Sequence, residues 1–162
     1  MDTLMKTAII GCGNANRSDD GVGSYVVNAL HHALKDEANV ECHDTGTNGM
    51  EVMFKARGCD RLIVIDACTP TGRPGALYRV PGEELACLPD PGLNLHGFRW
   101  QNALYAGQKI YREHFPRFVD VYLIEALQLQ LGLSLSDPVR QTADHLIQQL
   151  LTELAAKEGI HA

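Results

Sequence analysis

Three side chains offer this sequence its most specific chemistry: Asp20, Asp66 and His96. Asp20 follows the stretch Ile9-Ile10-Gly11-Cys12-Gly13, with Asp19 beside it where the next helix should begin. A glycine turn feeding a helix N-terminus ordinarily cradles phosphate, because free backbone N–H groups and the helix dipole attract anions. Two adjacent carboxylates would repel a phosphate there, and the same placement suits presenting a carboxylate to a cation. Asp66 ends Leu62-Ile63-Val64-Ile65, the most strongly β-branched run in the chain, and His96 follows Asn94-Leu95. In open α/β sheets ligands bind beyond the carboxyl ends of the strands, so these three positions are expected at one edge. Two carboxylates and an imidazole can hold a first-row divalent ion, and imidazole suits nickel or zinc. Each position also has a plainer reading: Asp20 serving its helix dipole, Asp66 capping a turn, His96 an N-cap or a satisfied loop histidine.

The elements that must position them alternate. Thr7 to Ile10 reads as a buried strand, and Val22, Val26, Val27 and Leu30 recur at helical spacing over about 20–34. Ser18 or Asp19 is the expected cap of that helix, with Asp20 in its first turn. Val40 to His43 reads as a second strand, Asp44 to Gly49 as a turn-rich loop, and Met50 to Ala56 as a short helix. Leu62 to Ile65 has the composition of a central strand. Ala76 to Val80 is a weaker strand, and the Pro- and Gly-rich Pro81 to Gly92 is expected to wander over the surface. Phe98 to Tyr111 reads as a helix weakened by Gly107, and Asp120 to Ile124 as a strand. Ser136-Asp137-Pro138 starts a last helix reaching about Lys157, with Val139, Ala143, Ile147, Leu150, Leu151 and Leu154 on its buried side. Alternation of this kind implies an α/β sheet covered on both faces. Neither a repeat nor a credible linker interrupts it, so residues 1–162 are expected to form a single domain.

Composition narrows the function classes. The 162 residues are 45% hydrophobic and 21% charged, ordinary for a globular chain, and the net charge of −6 argues against a nucleic-acid partner. Apolar runs stay short of the ~20 residues that span a bilayer, and the N-terminal Asp2 is unlike a signal peptide, so a cytoplasmic location without membrane contact is expected. Five cysteines without a C-x-x-C pair fit reduced thiols. Cys12, Cys42, Cys59 and Cys87 are expected as small buried hydrophobes, with Cys68 at the edge of the site. Among the other histidines, His31 and His32 suit a helix C-terminus, and His43 is the one further candidate for the sheet edge.

Rival motifs fail on particular residues. Asn16 stands where a dinucleotide fingerprint needs its third glycine, and neither G-K-[ST] nor G-x-S-x-G occurs. A Cys68–His96 hydrolase is conceivable, but nothing in the sequence marks that pair.

Taken together, the motifs resemble the NiFe-hydrogenase maturation endopeptidases. The resemblance runs through Gly11-Cys12-Gly13-Asn14, Asp19-Asp20-Gly21-Val22-Gly23, Asp44-Thr45-Gly46-Thr47-Asn48-Gly49-Met50-Glu51 and Leu62 to Ala67. It continues through His96-Gly97-Phe98-Arg99-Trp100, Leu123-Ile124-Glu125 and Gly132-Leu133-Ser134. It implies a three-layer sandwich in which a twisted five-stranded, mostly parallel sheet, with one antiparallel strand, lies between helices. It also implies an endopeptidase that removes a C-terminal extension from a hydrogenase large-subunit precursor once nickel has been inserted. Asp20, Asp66 and His96 would then sense nickel carried by the substrate, without an organic cofactor. Many family members have Glu where this chain has Asp20. Gly46, Thr47, Asn48 and Gly49 would flank the cleft, where small residues let a peptide backbone approach. Two other classes remain open: a metal-dependent docking or chaperone protein that does not cut the precursor, and a hydrolase of small substrates with its own tightly held ion.

Overall fold

The computed structural model describes residues 4–85 and 99–159. Within them the chain runs β1 (Thr7–Cys12), a 3-10 turn (Ser18–Gly21), α1 (Val22–Ala33), β2 (Val40–Gly46), α2 (Gly49–Ala56) and β3 (Arg61–Cys68). It continues with β4 (Leu77–Pro81), the single turn α3 (Gly82–Leu85), α4 (Trp100–Tyr111), a 3-10 turn (Arg112–His114), β5 (Phe118–Glu125) and α5 (Asp137–Gly159). The five strands form one sheet in the order β2-β1-β3-β5-β4. Strands β1, β2, β3 and β5 are parallel, and β4 pairs antiparallel with β5 at the edge. This is the mixed sheet the family resemblance implied.

Strand alternation divides the core in two. Ile9, Ile63, Ile65 and Ile124 face α1 and α5, whereas Ala8, Ile10, Leu62 and Val64 face α2 and α4. Period-two side-chain direction along β3 therefore carries position 66 to the α2–α4 side, with Leu62 and Val64. The helical stripes of α1 and α5 are buried as their spacing predicts, except that Leu151 is only half-buried; Leu146 joins the α5 stripe, fully buried.

Local differences from the sequence reading have physical causes. Strand β2 extends through Asp44, Thr45 and Gly46, because β1 continues to pair with it across an irregularity at Gly11/Cys12. Pro81 closes β4 and α3 follows at once, so the expected surface wander does not begin there; residues 86–92 lie outside the described residues. Gly107 gives α4 a close contact rather than a weak point: a Cβ there would lie 2.9 Å from the Phe115 ring. The cap of α1 is Gly21, without a side-chain hydrogen bond, so neither Ser18 nor Asp19 caps it, and Asp20 lies in the 3-10 turn ahead of the helix.

Candidate active site

The site is assembled by close backbone approach at the carboxyl edge of the sheet. Gly23, in the first turn of α1, sits so near the strand ends that a Cβ would lie 2.4 Å from the Cys12 carbonyl oxygen and 2.5 Å from that of Ile65. Any other residue would push α1 away from β1 and β3. Gly13 is the second requirement: its φ is +117°, and a Cβ would fall 2.1 Å from the Asp20 carbonyl oxygen. These two glycines bring Asp20, at the helix entrance, alongside Asp66, near the carboxyl end of β3.

The adjacent acids Asp19 and Asp20 have opposite roles. The Asp19 side chain is fully buried and accepts four hydrogen bonds, from the Leu127, Gln128 and Ser136 N–H groups and the Ser136 hydroxyl. Those donors hold its carboxyl below the usual range despite burial, which acts the other way as the largest single effect. Asp19 ties the β5–α5 connection to the glycine turn. Ser18 reinforces the tie from a left-handed backbone (φ 51°): its N–H donates to Gly132 C=O and its hydroxyl to Gln130 C=O. Asp20 is half-buried and accepts the Asn14 N–H at 2.8 Å. The backbone donor that a phosphate-binding turn would offer its ligand is here occupied by a carboxylate.

Asp66 is half-buried, and both of its oxygens are held. Oδ1 accepts the Ala67 N–H at 2.8 Å, and Oδ2 accepts the Trp100 indole N–H at 2.9 Å. Burial raises its carboxyl to about 6, the charge of Asp20 pushes in the same direction, and the two hydrogen bonds and Arg99 act against the rise. An acid raised this way, in a cleft and beside a second acid, has the profile of a functional carboxylate.

Asp20 and Asp66 line one cleft of about 220 Å³, together with Cys68, Arg99, Trp100 and Leu129. The structure thus joins the two expected carboxylates, while His96 and Cys87 lie outside the described residues. Among the described residues no group of three or more His, Cys, Asp and Glu is gathered closely enough to hold an ion. Gly46, Thr47, Asn48 and Gly49 run from the end of β2 into the start of α2, on the far side of β1 from β3, and do not line this cleft. Gly46 accepts the Gly13 N–H through its carbonyl, and the Asn48 side chain caps α2 by accepting the Glu51 N–H. His43 turns instead to Glu41, 3.2 Å away on its own strand.

The Cys12 and Cys68 thiols are unsuited to nucleophilic attack. Burial pushes Cys12 up to about 12, and raises Cys68 as well, with Glu125 and Asp66 adding to the effect. A reactive cysteine needs the reverse shift, so the cleft gives Cys68 no activation. Trp100 and Arg99 escaped a sequence-only site assignment. Helical spacing marks Trp100 as a core residue, which it also is at 5% exposure, and nothing in that spacing tells where its N–H points.

Comparisons with known proteins agree with this architecture. A family model described as hydrogenase maturation protease matches residues 24–153. The hydrogenase expression/formation protein HupD of Rhizobium leguminosarum bv. viciae is 31% identical over 134 residues, covering 82% of this chain and 65% of HupD. The chain thus spans just under two thirds of that relative's length. The hydrogenase 2 maturation protease of Escherichia coli K12 is 25% identical over 159 residues, covering 98% of this chain and 95% of the relative. In three dimensions, the hydrogenase maturating endopeptidase HybD from E. coli superposes with a TM-score of 0.74 at 24% identity, covering 94% of each chain. By its family match over most of its length, the chain belongs to the hydrogenase maturation protease family.

Proposed function

We propose that this chain is an endopeptidase that removes the C-terminal extension of a NiFe-hydrogenase large-subunit precursor after nickel insertion. One observation carries the reading. Two half-buried carboxylates, Asp20 and Asp66, share a cleft, and among the described residues the hydrogen bonds their side chains accept come from neutral N–H groups. Carboxylates held this way retain their negative charge for an external cation. The protein names of the relatives support hydrolysis of a peptide bond.

In this reading nickel arrives with the substrate. Asp20 and Asp66 supply oxygen ligands and His96 the imidazole, a donor set that suits nickel. A metal held between enzyme and substrate can polarise the scissile carbonyl or activate a water, worth several kcal/mol of transition-state stabilisation. The raised Asp66 carboxyl is suited to accept and return a proton near neutral pH. No side-chain nucleophile is required, in keeping with the unactivated Cys68. The Gly46–Gly49 turn flanks the edge along which the peptide backbone would approach. Cleavage then works as a checkpoint, since a precursor without nickel leaves the site incomplete.

The decisive experiment incubates the protein with nickel-loaded and nickel-free precursor and follows precursor mass. Shortening of the loaded form alone is expected. Equal cutting of both would refute the checkpoint, and binding without shortening would make the protein a docking factor. A stoichiometric ion kept through purification would favour a hydrolase with a metal of its own.

A further inference from the structure

We propose that Trp100 is the positioning residue of this cleft, its indole N–H fixing the plane of the Asp66 carboxylate so that its free lone pairs stay turned to the shared space. The inference rests on the endopeptidase reading and extends it to a residue outside the expected ligand set. An aspartate's terminal torsion is broad, so a carboxylate at the end of a strand does not orient itself. Here each oxygen is held from one side, Oδ1 by the Ala67 N–H at 2.8 Å and Oδ2 by the indole N–H at 2.9 Å. Each oxygen keeps a further lone pair.

The choice of donor matters. An arginine bonded to Oδ2 would cancel the charge that a cation needs. Indole is neutral, donates only, and does not titrate, so it orients Asp66 and leaves the charge in place. Its own orientation is fixed by packing. Trp100 is 5% exposed and opens α4, packed in the same hydrophobic cluster as Val64 and Ala103. Partners that orient a metal-binding side chain in this way typically change affinity or activity 10- to 100-fold when removed.

The test exploits composition: Trp100 is the single tryptophan of the chain. Replacing tryptophan by benzothienylalanine changes this position alone, keeps the ring shape and deletes the N–H. With nickel-loaded precursor, kcat should fall roughly 10- to 100-fold, with KM and the unfolding midpoint unchanged. A purely structural indole would instead leave kcat intact, and that result overturns the proposal. A second readout needs no cleavage. The indole N–H resonance of the native protein should move upfield and exchange faster in Asp66→Ala. If native protein leaves the precursor uncut, the endopeptidase reading fails and this resonance alone decides the inference. A signal that does not respond to Asp66→Ala overturns it.

Discussion

The two ends of the sheet treat negative charge in opposite ways. At the amino end, Asp120 of β5 accepts two hydrogen bonds from Arg79, from Nε at 3.1 Å and Nη2 at 2.9 Å. The buried Arg61 stands 3.6 Å away and reaches Glu153 of α5 at 3.4 Å. At the carboxyl end, Asp66 and Asp20 accept hydrogen bonds from uncharged groups and repel one another. The amino end also carries the larger cleft, about 420 Å³ against about 220 Å³, yet its carboxylate is already neutralised. Cleft size therefore does not tell which acid is left without a bonded cation. Charge without a bonded cation costs folding free energy, and acids perturbed in this way cluster at functional sites.

The comparison can be broken by exchanging which property each end controls. Asp66→Asn should slow processing of the nickel-loaded precursor on the order of 10³-fold, if the metal-assisted step is worth several kcal/mol. Its unfolding midpoint should not fall, and an active Asp66→Asn protein would remove this acid from the mechanism. Asp120→Ala should do the reverse. It leaves the buried Arg61, whose Nη1 is without a hydrogen-bond partner among the described residues, to the half-exposed Glu153, and should cost about 3 kcal/mol in denaturant unfolding while the folded fraction stays active. Next in size is Asp19→Ala, which leaves three backbone N–H donors of the β5–α5 connection unpaired. A loss of about 3 kcal/mol is expected by the same measurement.

The pH dependence of stability sharpens the contrast between neighbouring acids. Asp19 has a lowered pKa in the folded protein, so its contribution is complete above the unfolded value and is lost as pH falls through the folded one. Asp66 has the opposite sign. Its folded value of about 6 lies above the unfolded one, so stability declines as pH rises across that interval and then levels off. Unfolding curves of the wild type and Asp66→Asn from pH 4 to pH 8 should therefore diverge with rising pH, the variant gaining. Parallel curves would contradict the raised Asp66 value. The smallest effect is expected for Arg79→Ala, whose side chain is 60% exposed: about 1 kcal/mol or less, shrinking with added salt.

Much of this was legible in residue order. Leu62 to Ile65 announced a central strand by β-branching, and Val22, Val26, Val27 and Leu30 announced the buried stripe of α1, since a period needs no knowledge of partners. Asp20 and Asp66 could be placed at one edge from strand ends and helix starts alone. The distinct duty of Asp19 could not. Its four donors come from positions more than a hundred residues later, and a local rule offers only a cap. The hydrogen bond of Trp100 was hidden for a related reason: burial and hydrogen bonding are decided at different ends of one side chain.

By itself, then, the sequence determined which faces are apolar, where the strands stop, and that two acids fall at strand and helix ends, because these follow from local periodicity and backbone preference. Tertiary structure decided which acid became a structural tie and which remained available in the cleft. That choice depends on where distant N–H groups come to rest, and on how far glycines at 13 and 23 let α1 approach the strands.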